Sequence, residues 1–233
     1  MKYALFILFV GLGTMTFGQT TVLKKPKSVF DEDYSYGKNR KHYVHSGFSI
    51  LGGISADQLP DLEFSAFNSG AFQFFILYKY KLNNIFSLTS EFAFGGTGIV
   101  YTYKGSLPLY PSVFSEHRSD IINRGEIELR QNLRIRFGGG PNRIGTYLEG
   151  GVLGGFATTN DYIHRGVSIY NTRMEMKFIN ESVILADGNS YRIHRWYYGF
   201  RGRFGFNRWS LPVQVVRAGS VNWVLAGIEF SFL

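Results

Sequence analysis

Ser115, His117 and Asp120 stand close together in one polar stretch, and Asp161 and His164 open another. If the two stretches meet, His could act as general base on a Ser nucleophile, with Asp orienting the imidazole. That is the chemistry of a lipid or peptide hydrolase or an acyltransferase. The simpler expectation is polar loop residues facing water. No catalytic residue is therefore assigned, and Ser115, His117 and Asp120 stand as the candidates. His42 and His45, at the start of an alternating segment, are expected to share a face as an interfacial pair. With a third ligand such a pair could bind a metal, but the interfacial reading is preferred, and no HExxH occurs. The acidic DEDYSYG (31–37) resembles a calcium loop but has Tyr36 where Gly is needed. The glycine runs GGGPNR (138–143) and EGGVLGG (149–155) lack the Lys-Ser/Thr of a phosphate loop. Neither a metal nor a cofactor is expected.

The composition narrows the class. The chain has 233 residues, enough for one domain or one membrane barrel, and no cysteine. That excludes a disulfide framework, a thiolate metal site and a cysteine nucleophile. Gly 28, Tyr 15 and Phe 22 against Pro 6 is a β-rich, turn-rich composition. The formal net charge is +8, or +7 once Lys2 of the leader is subtracted. Its cations are spread along alternating segments and flanking loops, without a helix or stacking platform to present them, so nucleic acid is not an expected partner.

The elements that must position these residues read as strands. Met1-Lys2, the apolar run ALFILFVGLG and small residues at Thr16 and Gly18 predict a signal peptide over 1–18. Residues 19–41 predict a flexible arm, with basic residues flanking an acidic-aromatic patch from Phe30 to Tyr36. Over 42–233 period-two segments repeat at 42–56, 71–82, 86–104, 121–137, 143–158, 191–206, 208–217 and 221–233. Tight turns of Gly and Asn join some of these, while 57–70, 105–120 and 159–190 are long. Short and long links that alternate are expected of a membrane β-barrel. The prediction is all-β: an eight-stranded antiparallel outer-membrane barrel. Two further strands within 159–190 would make ten.

The face assignment follows from volume. The aromatic face carries more Phe, Tyr and Trp than an eight-stranded lumen holds, so it is expected to meet lipid. The opposite face then fills the barrel with Glu91, Arg124, Glu126, Glu128, Arg130, Arg134, Arg136, Glu149, Arg201, Arg203 and Glu229. Enclosed charges must pair. A lumenal salt-bridge network that closes the pore is predicted, with Glu149 near Arg130 or Asn132 and Glu229 near Arg208.

The chain ends NWVLAGIEFSFL, in which Gly227, Phe230 and Phe232 form Gly-x-x-aromatic-x-aromatic. This resembles the signal that the outer-membrane assembly machinery reads by strand pairing, with Leu233 as an extra residue. Leader, strand count, loop pattern and ending together resemble small Bacteroidota-type outer-membrane barrels, the group that includes PorT-like barrels. The resemblance covers roughly residues 42–233 and implies an outer-membrane location, with both termini in the periplasm. It also implies contact with membrane lipid and with the assembly machinery during biogenesis. The leading functional expectation is a non-enzymatic structural or accessory subunit with a protein partner in an envelope complex. A narrow small-solute channel or binding barrel is the first alternative, and a hydrolase or acyltransferase the second.

Overall fold

The computed structural model describes residues 40–57, 62–103, 114–137, 144–168, 170–178, 183–186 and 189–232. The leader and residues 19–39 of the arm lie outside them. In chain order the strands are β1 (His42–Ala56), β2 (Leu62–Phe64), β3 (Gly70–Lys81), β4 (Phe86–Tyr103), β5 (Phe114–Phe137), β6 (Thr146–Ser168), β7 (Arg173–Phe178), β8 (Val183–Ala186), β9 (Asn189–Arg192), β10 (Trp196–Phe206), β11 (Trp209–Ala218) and β12 (Val221–Phe232).

Eight of these close into an antiparallel ring in the order β10-β11-β12-β1-β3-β4-β5-β6, with β6 pairing back to β10. The first and last ring strands meet along Ser46↔Phe232 to Ala56↔Trp223. Local chemistry sets the tight turns. Asn83 Oδ1 accepts from the amides of Ile85 (2.8 Å) and Phe86 (2.7 Å), while Asn207 and Gly219 take positive φ.

The ten-strand alternative does not hold. β6 pairs with β10 along Thr146–Phe156, and β7 uses the same edge further on, at Tyr162–Val167. β7 therefore sits beyond the ring, and β8 and β9 form a ribbon of their own. The stretches expected as loops at 105–120 and 159–190 are shorter than predicted, because β5 and β6 run for 24 and 23 residues. A bulge explains why this was hidden. Gly125 pairs with Thr159 but Glu126 with Ala157, so Thr158 is extra. The Thr158 hydroxyl donates to Gly125 O (3.0 Å), and Gly125 N donates to the Thr159 hydroxyl (2.9 Å). Beyond the bulge the inward positions of β6 change from odd numbers to even ones, and the alternation read from the sequence breaks.

Polarity decides what surrounds the ring. Phe200 is 67% exposed and Leu129 66%, whereas Glu91 is 2% exposed and Arg130 2%. The outward positions of β10 are Trp196, Tyr198, Phe200, Gly202, Phe204 and Phe206, and those of β12 run Asn222, Val224, Ala226, Ile228, Phe230 and Phe232. Those of β5 from Asn123 to Phe137 are likewise uncharged. Eleven residues at ~3.3 Å each, tilted ~40°, span about 28 Å, close to the apolar height of a bilayer. The barrel is inside out. This is the polarity of a membrane-spanning barrel. Ile144, just ahead of β6, is buried and packs with Tyr43 and Tyr147.

Closing so few strands requires sharp coiling, and inward glycines permit it. A Cβ on Gly227 would lie 2.0 Å from Ile50 O, and one on Gly151 2.1 Å from Gln131 O.

Candidate functional site

The interior is built by alternation. Every second residue of β4, β5, β6, β10 and β12 points inward, which brings Glu91, Glu126, Glu128, Glu149 and Glu229 together with Arg124, Arg130, Arg134, Arg201 and Arg203, all buried. Five of each sign face one another. Glu91 is the hub: it pairs with Arg130, with Arg201 (2.8 Å) and with Arg203 (3.3 Å). Arg130 Nε donates to Glu128 (2.7 Å) and its Nη2 to Gln73. Gln73 Nε2 and the Tyr197 hydroxyl both donate to Glu128, each at 3.1 Å. Glu149 accepts from Arg134 Nε and Arg203 Nε, each at 2.5 Å, and from the Thr89 hydroxyl (3.2 Å). Glu229 pairs with Arg201 and Arg203 and accepts from the Ser210 hydroxyl (3.2 Å). A buried ion pair persists only where the remaining lone pairs and protons are also met, and here neutral side chains meet several of them.

The registers differ from those expected. Glu149 lies opposite Arg134, because Phe137 pairs with Thr146 across a longer connection than GGGPN alone. Glu229 lies opposite Ser210 because β11 runs to Ala218, leaving a two-residue turn. Arg136, counted with the network from the sequence, is only half-buried at the turn end.

Toward the loop end the filling changes. Arg124 donates to Glu126 (2.8 Å), and its guanidinium sits 5.1 Å from the Tyr197 ring and 5.3 Å from that of Trp223. The Thr97 hydroxyl donates to the other Glu126 oxygen (2.6 Å). Around this lies an apolar layer that includes Leu51, Ile99, Tyr101, Ile122, Trp223 and Leu225.

Above that layer the extended β5 and β6 place Asp120 opposite His164. Asp120 Oδ1 lies 2.6 Å from His164 Nδ1, and Oδ2 accepts from the Tyr162 hydroxyl at 2.6 Å. The His164 ring meets Tyr162 and Phe178 edge-on. An acid–histidine pair of this kind orients an imidazole, which is one part of the hydrolase arrangement. Ser115 and His117 lie on β5 rather than in a loop, and their side chains are outside the described residues. The sequence held both partners, but the bulge at Thr158 concealed that they share a face.

The histidines at the start of β1 do not pair. Being three apart, they point to opposite sides: His42 outward, with its Nδ1 2.8 Å from the Tyr78 hydroxyl, and His45 inward and buried. Among the described residues no group of three acidic or histidine side chains could hold a metal.

No family model matches the chain, and no curated protein does. Two solved structures of Ail, the attachment invasion locus protein of Yersinia pestis, are similar to it. One, in complex with the heparin analogue sucrose octasulfate, is 12% identical at a TM-score of 0.33; the other is 11% identical at 0.34. Each match covers 82% of this chain and 97% of Ail. A likeness at this level says nothing about what this chain binds.

Proposed function

We propose that the chain is a non-enzymatic outer-membrane barrel, closed to solutes, that serves as a structural or accessory subunit of a cell-envelope complex. The observation that carries this is the filled interior, where five arginines interlock with five glutamates beneath a layer of Tyr101, Trp223 and Leu225. Side chains occupy the bore that a small-solute channel would need. The remaining assets are surfaces: the lipid-facing wall, and the β5–β6–β7 sheet that continues past the ring. The leader and the C-terminal Gly227, Phe230 and Phe232 support export and insertion by the assembly machinery. The turn end, which also holds the start of β1 and the end of β12, is then periplasmic. The resemblance to PorT-like barrels supports a secretion or assembly complex as the setting.

Two measurements test the proposal. Refolded protein in planar bilayers is expected to give no unitary conductance; steady channels would overturn the closed interior. A tagged chain purified from native membranes in mild detergent is expected to retain a stoichiometric partner, and a clean monomer would remove the subunit role. The Asp120–His164 pair favours a second reading, an outer-membrane hydrolase. It requires phospholipid or peptide hydrolysis that disappears in His164→Ala while the barrel still folds.

A further inference from the structure

The lipid-facing wall carries a carboxamide at a height where its other strands present hydrocarbon. Ser90 on β4 and Gln131 on β5 are directly paired and both exposed. The Ser90 hydroxyl donates to Gln131 Oε1 at 2.6 Å. Among the described residues Gln131 Nε2 donates to nothing, and turning the carboxamide over would leave its oxygen unmet instead. Gln131 stands six residues from Phe137 at the turn end of β5. At ~3.3 Å each and a tilt of ~40°, that places it about 15 Å up, near mid-bilayer. The middles of other strands face outward with Phe74, Phe200, Val213 and Ile228.

Depth limits what can meet this amide. Water and lipid headgroups lie at the two faces of the bilayer, and acyl chains offer no polar atom between them, where an unmet amide is unfavourable. The missing partner therefore has to come from protein in the same membrane. A second copy supplies it at the right height, because a two-fold axis along the membrane normal sets each residue near the axis against its twin at equal depth. A carboxamide is donor and acceptor at once, and Gln131 Oε1 keeps a lone pair beyond the one Ser90 uses. Two twinned Gln131 side chains thus exchange a reciprocal pair of N–H···O bonds.

The surface beside Gln131 is low. Leu129, Gln131 and Leu133 pair with Gly154, Val152 and Gly150 of β6. A Cβ on Gly150 would meet nothing within 4 Å, and one on Gly154 would come no nearer than 4.0 Å to its closest neighbour, Tyr197 O. The barrel's own packing calls for glycine at neither position, whereas two walls approach most closely where side chains are smallest.

We propose that the β4–β5–β6 wall is a homodimer interface within the membrane, with Gln131 at the two-fold axis bonded to its twin and Ser90 orienting each carboxamide. The proposal needs only the barrel fold, not the subunit role.

The test uses the full mature chain in phosphatidylcholine vesicles. The chain has no cysteine, so single introduced ones report position. Oxidation is expected to link Leu129→Cys to a second copy and to leave Ile228→Cys, on the opposite wall, unlinked. Förster transfer between copies labelled at Asn84→Cys, in the β3–β4 turn, measures the dimer constant as lipid is added. Gln131→Leu should weaken the dimer about ten-fold, the worth of two reciprocal hydrogen bonds inside a bilayer. Gln131→Asn, which keeps the carboxamide, should weaken it less. Gln131→Leu puts hydrocarbon against lipid, so it should fold, and heat-modifiable gel migration of each variant separates this test from that of the barrel itself. A monomer at every lipid ratio, equal dimerisation of the native chain and Gln131→Leu, or equal linking of Leu129→Cys and Ile228→Cys overturns the proposal. So does a monomer in vesicles whose Leu129→Cys links to a different chain in native membranes, which would give the wall to another protein.

Discussion

Replacing Glu91 with Gln removes one charge from the centre of the barrel and hardly alters its shape. Glu91 pairs with Arg130, Arg201 and Arg203, so the substitution leaves five arginines facing four carboxylates. Removing one member of a buried ion pair costs about 3–5 kcal/mol. The low end applies, because each arginine keeps another carboxylate: Arg130 keeps Glu128, Arg201 keeps Glu229, and Arg203 keeps both Glu149 and Glu229. A loss of about 3 kcal/mol, at a urea slope of about 2 kcal/mol/M, lowers the unfolding midpoint by about 1.5 M. Equilibrium unfolding in phospholipid vesicles, followed by tryptophan fluorescence and by the heat-modifiable band, measures it. Adding Arg130→Met to Glu91→Gln restores the overall charge balance but takes the paired arginine from Glu128, so it should not recover the loss. A loss in Glu91→Gln below about 1 kcal/mol is the value of a solvated pair; it would mean that water fills the interior and that the packing argument fails.

The wall and the extension give further tests. Gly227→Ala, whose Cβ would lie 2.0 Å from Ile50 O, should cost about 1–3 kcal/mol, whereas Gly150→Ala, with nothing within 4 Å, should change the vesicle unfolding midpoint little. Phe200→Arg, mid-height on the outward face, should cost about 2–4 kcal/mol in vesicles, while Arg217→Ala at the band's edge should cost far less. Asp120→Asn weakens the bonds to His164 and Tyr162. Limited proteolysis should then cut within the β5–β6–β7 sheet while the eight-stranded core stays resistant.

The wall and the lumen were legible because their code has period two. Glu126, Glu128, Arg130 and Arg134 take turns with Ile127, Leu129 and Leu133, and no other regular structure sorts them so cleanly. What alternation does not contain is phase between strands. Arg208 and Ser210 lie two positions apart as neighbours of Glu229, and composition does not fix which of them the turn after Ala218 selects. Nor does it reveal a bulge. Thr158 shifts β6 by one, so Asp120 and His164 read as residues of two unrelated loops until their backbones are paired.

The seam between β1 and β12 has a consequence for how the protein is made. The hydrogen bonds that shut the ring join residues near its beginning to the final strand, Ser46 to Phe232. A chain that stops short of that strand therefore has two raw sheet edges. It also lacks Glu229, the carboxylate on that strand that engages both Arg201 and Arg203. One late event thus seals the wall and neutralises the cargo of charge behind it. A truncated product would thus carry an open sheet edge and one uncompensated positive charge among its buried groups. Completeness of the chain is thereby checked by the barrel's own geometry.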